Sequence, residues 1–329
     1  MSNPRVLCLG EILYDMLADQ LGRSVPEVES WTSYPGGAPA NVACALVKLG
    51  TSSAFIGAVG EDEPGNNLKA LLQEIGVDTT GVQRHSQSPT RQVLVTRKLN
   101  GDRVFAGFKD YDTTEFADTR LKAGELSEKL FEEADLLVLG TLELAYPESG
   151  AAVHRALELA CQYNVKILLD VNWRDVFWTN PEVAPDKIRE IIKKVDFLKL
   201  AKEEAELLFN THDAGAITYR LNSVEGVLVT DGDKGCAYCV SENEGKLPAF
   251  SVSVVDTTGA GDSFVAGFVH QLLNYGVQKL SDPEIVKIII TYASAAGALT
   301  TLKPGAIASQ PRAEEVDYFL KENQILFNV

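Results

Sequence analysis

Short apolar runs that favour β-strands alternate with helical segments along most of this chain, and that alternation restricts its fold more than any other feature. Residues 6–10 predict a strand, and residues 39–49 predict a helix with a proline near its start and Gly50 after its end. Such strands, separated by helices, form a mostly parallel sheet covered on both faces. We therefore predict a three-layer αβα fold of the α/β class, whose ligands bind beyond the carboxyl ends of the strands.

The same rhythm continues through much of the remaining sequence. Further strands are predicted at residues 53–59, 135–140, 166–171, 197–200 and 226–230. Further helices are predicted at residues 66–75, 147–163, 185–195 and 202–209. No internal repeat or low-complexity linker divides the chain, so residues 1–329 are predicted to form a single domain.

Two segments, at about residues 14–34 and 91–110, do not fit the strand–helix alternation. The second contains Asn100-Gly101 between two alternating runs, 92–99 and 103–108, which is a strong signal for a β-hairpin. Two excursions from one large sheet predict a small β-sheet lid over the strand ends. The alternative is an ordinary surface hairpin.

The run Asp256-Thr257-Thr258-Gly259-Ala260-Gly261-Asp262-Ser263-Phe264 joins a predicted strand at 250–255 to a predicted helix. A small-residue turn that opens a helix leaves backbone N–H groups at the positive end of the helix dipole, which suits a phosphate group. Bound phosphate would repel Asp262, so a purely structural first-turn carboxylate is a poor explanation. We predict that Asp262 takes a proton from an attacking hydroxyl, while the amides of Gly259, Ala260, Gly261 and Asp262 hold the phosphoryl group.

This run resembles a signature of the ribokinase-like (PfkB) family of sugar and nucleoside kinases, and the resemblance covers nearly the whole chain. Within the family the chain is most similar to the fructokinases. The resemblance implies a Rossmann-like sheet with a lid, ATP and Mg²⁺ as cofactors, and transfer of the γ-phosphoryl group to a primary hydroxyl of D-fructose, giving fructose 6-phosphate. Phosphorylation of ribose, 2-keto-3-deoxygluconate or a nucleoside remains an alternative, as does a non-catalytic sugar-sensing homologue. A Rossmann dehydrogenase should carry its glycine fingerprint after the first strand, where Gly10-Glu11-Ile12 has none.

Polar residues near the first strand match the sugar-binding signature of the family. Asp15 offers hydrogen-bond acceptors and Asn41 offers both a donor and an acceptor, as a sugar hydroxyl requires. Gly36 and Gly37 permit positive φ angles and suit a hinge between lid and sheet. Separately, these residues could be a loop carboxylate, a polar helix-start residue and a turn. The resemblance implies that Asp15 and Asn41 bind sugar hydroxyls and that the glycine pair flexes on closure.

The sequence Asp170-Val171-Asn172-Trp173-Arg174 follows another predicted strand and resembles the Asp-x-Asn-x-Arg motif of fructokinases. The resemblance places Asn172 and Arg174 on the cleft as substrate-binding residues. Arg174 could steady the phosphoryl group or a sugar oxygen. The alternative for Arg174 is a surface side chain paired with Asp175.

The nucleotide-binding residues are implied by resemblance at three places. In Val229-Thr230-Asp231-Gly232-Asp233-Lys234-Gly235, the residues Thr230, Gly232 and Gly235 match a turn along the nucleotide phosphates. Thr257, Gly259 and Gly261 contact the phosphates from the helix start. Ser294 lies in a small-residue helix predicted beside the adenine, at a position where relatives usually carry Asn.

The metal ligands are also implied by the family. Glu204 matches the residue that holds Mg²⁺ through water, although Ala201 replaces the usual Asn of that motif. The resemblance also implies a site for a monovalent cation such as K⁺, bound mostly by backbone oxygens. Five residues would lie near it: Asp256, Thr258, Thr300, Gly305 and Ser309.

Composition narrows the partners and the compartment. The chain has 30 basic and 46 acidic residues, a net charge of −16, which argues against nucleic acid and anionic membranes as partners. We expect a cytoplasmic protein, because no signal peptide or membrane-spanning run is recognisable. The five cysteines read as reduced, and Cys236 and Cys239 should face opposite sides of one strand. The resemblance adds a homodimer formed through the lid.

Overall fold

The computed structural model describes residues 4–99 and 103–325. Within these residues the chain forms thirteen strands: β1 Val6–Leu9, β2 Leu13–Leu21, β3 Trp31–Gly36, β4 Ser53–Gly60, β5 Asp78–His85, β6 Gln92–Arg97, β7 Arg103–Phe108, β8 Leu136–Leu139, β9 Lys166–Asp170, β10 Phe197–Ala201, β11 Gly226–Thr230, β12 Cys236–Val240 and β13 Asn243–Leu247.

Nine of these strands form one large sheet in the order β13-β12-β11-β10-β9-β8-β1-β4-β5. The seven strands from β11 to β5 in that order are parallel to their neighbours. The strands β12 and β13 add an antiparallel hairpin at one edge. The predicted mostly parallel sheet is therefore confirmed.

Helices connect and cover the strands of the large sheet. They are α1 Ala38–Lys48, α2 Glu63–Ile75, α3 Glu128–Glu132, α4 Pro147–Tyr163, α5 Ala184–Ile192, α6 Lys202–Phe209, α7 Ala214–Leu221, α8 Ala260–Tyr275, α9 Pro283–Thr300, α10 Ala306–Ser309 and α11 Ala313–Glu322. Across the part of the chain that the structure covers, no helix combines the length and the apolar character needed to cross a membrane.

Two apolar cores lie on opposite faces of the large sheet. Alternate residues of β1 point into different cores: Leu7 and Leu9 pack with residues of α4 and α5, whereas Val6 and Cys8 pack with residues of α1, α8 and α9. All four side chains are fully buried. Because each strand residue faces the side opposite to its neighbour, a strand buried on both faces reads as a continuous apolar run. The three-layer prediction is thus confirmed.

The two cysteines of β12 also lie on opposite faces of the sheet, as predicted. Cys236 packs in the core beside α8 and α9, and Cys239 packs in the core beside α4. Both are free thiols. Burial raises the pKa of Cys236 to about 12, so this thiol is inert at neutral pH.

Predicted element ends differ from the structure by up to three residues, and one predicted strand is absent from the described residues. Helix α2 begins three residues early, at Glu63, because Asp62 Oδ1 caps it by accepting the N–H of Gly65 at 2.8 Å. The strand predicted at 250–255 is wrong, since this segment belongs to neither sheet. Val254 and Val255 are 56% and 64% exposed. The segment leads from the edge hairpin β12–β13 to α8, and no strand in the described part of the chain pairs with it.

A small sheet lies next to the carboxyl end of β1 and has the order β3-β2-β6-β7. Strand β2 is antiparallel to β3 and parallel to β6, which in turn is antiparallel to β7. The segments predicted as a lid, 14–34 and 91–110, supply these strands. The predicted turn Asn100-Gly101 lies outside the described residues, but the two strands that flank it pair as a hairpin requires. We call this four-stranded unit the small sheet.

Candidate active site

A cleft of about 400 Å³ opens where β1, β8, β9 and β10 end, between the large sheet, the small sheet and the start of α8. Parallel sheets of this type bind ligands at the carboxyl ends of their strands. The cleft brings together ten of the residues predicted from the sequence: Asp15, Gly37, Asn41, Asn172, Arg174, Thr257, Thr258, Gly259, Gly261 and Asp262. Ten further predicted residues do not line it: Gly36, Glu204, Thr230, Gly232, Gly235, Asp256, Ala260, Ser294, Thr300 and Gly305; Ser309 lies beside another surface cavity.

The start of α8 is shaped as an anion site. Gly259 precedes the helix with φ at 80°, and a Cβ there would lie 2.8 Å from the Cβ of Ala306, so glycine is required. Among the described residues, the amides of Gly261 and Asp262 have no backbone acceptor. The amide of Ala260 differs, because it donates to the Thr257 carbonyl at 3.2 Å. The amide of Gly259 likewise has no backbone acceptor among the described residues, so three of the four predicted amides, those of Gly259, Gly261 and Asp262, remain for a phosphate group.

Asp262, in the first turn of α8, is only 9% exposed at the cleft wall. The side-chain amide of Asn41 donates to its Oδ2 at 2.8 Å, which joins α8 to α1. Burial raises the pKa of Asp262 to about 6, with Asp170 adding to the rise and with Asn41, Lys199 and Arg174 opposing it. This carboxyl is therefore ionised at neutral pH but far more basic than a solvated aspartate, as a general base requires.

Lys199 is a cleft residue that the sequence analysis did not identify. It lies in β10 in register with Asp170 of β9, and its Nζ contacts Asp170 Oδ1 at 3.0 Å. Burial alone would lower the pKa of Lys199, but the charges of Asp170, Glu204 and Asp262 raise it above its usual value. A lysine within an otherwise apolar strand was the signal available in the sequence.

Glu11 is a second missed cleft residue, directly after the end of β1. Its Oε1 accepts the N–H of Ala38 at 2.7 Å, which ties the start of α1 to the first strand. Burial raises the pKa of Glu11 to about 7. Nothing in the sequence around Glu11 distinguishes it from an ordinary loop carboxylate.

Arg174 faces the cleft and does not pair with Asp175. Its Nη1 donates to the Trp173 carbonyl at 3.4 Å, and Asp175 Oδ1 accepts the N–H of Val176 instead. Asn172 has φ at 35°, a left-handed conformation that turns the chain sharply after β9. The surface ion pair considered as an alternative for Arg174 is therefore absent from the described residues.

Asp15 belongs to β2 of the small sheet and lines the cleft together with residues of α8. Burial raises its pKa to about 6, with Arg103 and Arg174 opposing the rise. Gly36 leaves room for this carboxylate, since a Cβ there would lie 3.0 Å from Asp15 Oδ2. Gly37 has φ at 105°, and a Cβ there would lie 2.4 Å from the Glu11 carbonyl oxygen, so the backbone passes too closely for any side chain.

One ion pair connects the small sheet to the turn before α8. Arg103, the first residue of β7, contacts Asp256 Oδ2 at 2.7 Å and donates to the Thr258 hydroxyl at 2.9 Å. Asp256 also caps its own turn, since its Oδ1 accepts the N–H of Thr258 at 3.1 Å. This pair holds the small sheet against the cleft.

The residues predicted around a monovalent cation are partly clustered. Asp256 Oδ2 accepts the Gly305 N–H at 2.9 Å, and the Ser309 hydroxyl donates to the Gly305 carbonyl. Thr300 instead donates to Ser263 Oγ at 2.8 Å, between α9 and α8. Asp256, Thr258, Gly305 and Ser309 therefore form one linked group, which Thr300 does not join.

Glu204, predicted to hold magnesium through water, is buried at the start of α6. Its Oε1 accepts the Trp173 N–H at 2.8 Å and its Oε2 accepts the Ala201 N–H at 2.7 Å. In residues 4–99 and 103–325, no group of three or more His, Cys, Asp or Glu side chains could hold a metal ion. Both carboxylate oxygens of Glu204 thus accept backbone amides of neighbouring segments.

Four of the residues predicted to lie along the nucleotide are outside the cleft itself: Thr230, Gly232, Gly235 and Ser294. Gly232 and Gly235 have φ at 51° and 98° in the turn after β11, and a Cβ on Gly235 would lie 2.0 Å from the Leu247 carbonyl oxygen. Thr230 ends β11, with its hydroxyl 3.4 Å from the Leu200 carbonyl. The Ser294 hydroxyl donates to the Ile290 carbonyl at 2.9 Å, within α9. The glycines allow the positive φ angles of this turn, whereas the Ser294 hydroxyl uses its proton in a hydrogen bond within α9.

A helix start whose free amides suit an anion, a buried carboxylate with a raised pKa, and two cations share one cleft with a second carboxylate from the small sheet. Together they define a site for transferring a phosphoryl group to an alcohol. The family model described as pfkB family carbohydrate kinase matches residues 3–313. The chain belongs to this family, and it is a carbohydrate kinase with the ribokinase-like fold that the sequence predicted.

Individual relatives agree with this assignment. Probable fructokinase-5 of Arabidopsis thaliana is 34% identical over 323 residues, covering 97% of this chain and 98% of the relative. A crystal structure of a fructokinase with bound ATP from Xylella fastidiosa is 29% identical with a TM-score of 0.88, covering 97% of this chain and 98% of that one. A double mutant of a fructokinase from Vibrio cholerae O395, bound to fructose, ADP and potassium ion, is 25% identical with a TM-score of 0.83, covering 96% of this chain and 98% of that one.

Proposed function

We propose that this carbohydrate kinase is an ATP-dependent fructokinase that converts D-fructose to fructose 6-phosphate. The observation that carries the proposal is Asp262, a buried carboxylate with a raised pKa beside the unpaired amides that begin α8. Several of the relatives that cover nearly the whole chain are named fructokinases, which favours fructose over other sugars.

In the proposed reaction, the hydroxyl oxygen of the sugar forms a bond to the γ-phosphorus while Asp262 accepts the hydroxyl proton. The bond from the γ-phosphorus to the bridging oxygen breaks, and its electrons remain on ADP. Asp15 and Asn41 orient the sugar, and the amides of Gly261 and Asp262 stabilise the charge that develops on the phosphoryl oxygens. Arg174 adds a positive charge on the same cleft.

Magnesium is proposed to accompany ATP as part of the substrate, where it neutralises charge on the phosphates. We place Thr230, Gly232, Gly235 and Thr257 along the nucleotide. A potassium site at the linked group of Asp256, Thr258, Gly305 and Ser309 is also proposed. A cytoplasmic location, a homodimer through the small sheet and a single domain over 1–329 stay predictions.

A screen of acceptors tests the substrate. ADP release is measured by a coupled assay with free hexoses, pentoses, sugar acids and nucleosides, each with and without enzyme. We expect fructose to give the highest kcat/KM. A higher value for ribose, 2-keto-3-deoxygluconate or a nucleoside would replace fructose, and sugar binding without any ADP release would identify a sensor instead of an enzyme.

The rate should depend on pH through Asp262. Its carboxylate is the active form, so kcat/KM should be constant above about pH 7 and fall about tenfold per pH unit below the pKa of about 6. The groups that act on this carboxyl are Asn41, Asp170, Lys199 and Arg174.

Asp15 titrates in the same range, since its pKa is about 6, and a control must separate the two carboxyls. The profile is therefore repeated with Asp15→Asn, which weakens sugar binding but leaves Asp262 unchanged. The acid limb should persist in that variant. Its disappearance would show that Asp15, and not Asp262, sets the pH dependence.

A further inference from the structure

Lys199 is a buried cation for which the mechanism so far has no role. It is 6% exposed, and no other lysine in the described ranges is buried. Moving an ammonium group out of water is unfavourable unless charges and hydrogen bonds compensate it. A lysine in this position therefore needs a specific partner.

The partner that the protein supplies is incomplete. An ammonium group has three N–H donors, and the contact to Asp170 Oδ1 at 3.0 Å uses one of them. Within the described residues Lys199 has no second acceptor, and Asp170 Oδ2 is buried without a partner. The pair is therefore neither fully hydrogen-bonded nor optimised as a purely structural ion pair.

The free side of the ammonium group faces the start of α8. Lys199 Nζ lies 3.3 Å from the point where a Cβ on Gly261 would be, so glycine at 261 keeps the lysine directly beside the helix-start amides. Lys199, Gly261 and Asp262 all line the same cleft, as does Arg174. An anion on the amides of Gly261 and Asp262 would then meet the ammonium group as well.

We propose that Lys199 is a catalytic residue whose ammonium group donates to a non-bridging oxygen of the transferring phosphoryl group. The proposal rests on the phosphoryl transfer proposed above, in which the sugar oxygen–phosphorus bond forms, the bond to ADP breaks and Asp262 receives the proton. Lys199 keeps its own protons throughout and stabilises the charge on the phosphoryl oxygens. Asp170 holds the ammonium group in place from the neighbouring strand.

The competing explanation is that Lys199 only neutralises Asp170. Lys199→Met alone cannot decide, because it leaves Asp170 as an unpaired buried charge and can unfold the protein. The double variant Lys199→Met/Asp170→Asn removes both charges and keeps the side-chain volumes similar. If Lys199 has only a structural role, this double variant should match the wild-type protein in every measured property.

The measurements are the melting temperature, the affinities for Mg²⁺ADP and for the Mg²⁺ complex of the non-hydrolysable analogue AMP-PNP, and kcat with fructose. For the double variant we expect a melting temperature close to wild type and an unchanged ADP affinity. The affinity for AMP-PNP should fall about tenfold, because a charge-assisted contact to the γ-phosphate is lost, and kcat should fall by about 10- to 100-fold. The variant Lys122→Met/Glu125→Gln removes an exposed pair of the same charges and should leave all four values unchanged.

A double variant that keeps the wild-type ratio of AMP-PNP to ADP affinity, or a kcat within threefold of wild type, would overturn the role of Lys199. The nucleotide measurements need no sugar. If wild-type protein phosphorylates no acceptor, the proposed function fails, while the affinity ratio still decides whether Lys199 contacts the γ-phosphate.

Discussion

Replacing Asp262 with Asn should lower kcat by between about 10² and 10⁴, with little change in stability or ATP affinity. The amide has the shape of the carboxylate, and its oxygen can still accept the hydrogen bond that Asn41 donates at 2.8 Å. It cannot accept the proton of the attacking hydroxyl. The loss should therefore appear in kcat, measured by ADP release at saturating ATP and fructose.

A matched control distinguishes the effect of losing the general base from the effect of losing a negative charge at the start of a helix. Asp186 also lies in the first turn of its helix, α5, but its side chain is 89% exposed and does not line the cleft. Asp186→Asn should leave kcat within about twofold of wild type. Should Asp262→Asn retain more than a tenth of the wild-type kcat, another group must take the proton.

Replacing Arg91 with Met should lower the free energy of unfolding by about 3–5 kcal/mol, because it leaves a buried carboxylate without its partner. The side chains of Arg91 and Asp118 are 0% and 2% exposed. Arg91 Nε contacts Asp118 Oδ2 at 2.6 Å and Nη2 contacts Oδ1 at 2.8 Å, which is a two-pronged ion pair. Urea unfolding measures the change.

Aromatic rings enclose the same guanidinium group. Its central carbon lies 4.6 Å from the ring centre of Phe116, 5.2 Å from that of Phe108 and 5.3 Å from that of Phe177. Phe108 ends β7 of the small sheet, and Phe177 lines the cleft. Arg91→Met should consequently loosen the contact between small sheet and cleft and raise KM for the sugar.

The pair Arg91→Met/Asp118→Leu is the control for the stability change. It removes both charges and should regain most of the lost stability, since apolar replacement of a buried ion pair is often neutral. A single variant that loses less than about 1 kcal/mol would mean that water or other groups already compensate Asp118.

The sequence predicted the layers of this fold because its signals are local. The run at β1 is apolar at every position since both faces of the strand are buried, and Gly76 ends α2 with φ at 103°. The strand predicted at 250–255 is wrong because the alternation of apolar and polar residues is also a local signal. It reports the conformational preference of the segment, but not whether a neighbouring strand is present to pair with it. Pairing is a property of the tertiary structure.

The candidate site also contains residues that the sequence could predict and residues that it could not. Gly259, Gly261 and the proposed base Asp262 belong to one continuous motif, so their proximity in space follows from their proximity in the sequence. Lys199 and Asp170 become neighbours only because β10 lies in register beside β9. Glu204 matched a family position, yet its two oxygens accept backbone amides, and such contacts leave no trace in a sequence.

The short connection from β1 to β2 places the two carboxylates that we propose for sugar binding and proton transfer on different sheets of the molecule. Asp15 belongs to the small sheet and Asp262 to a helix on the large one. A sugar can contact both at once, whereas a water molecule that reaches Asp262 is too small to engage Asp15. In the proposed reaction, futile hydrolysis of the nucleotide should therefore be slow, because water forgoes the binding energy that a sugar gains by contacting both sheets.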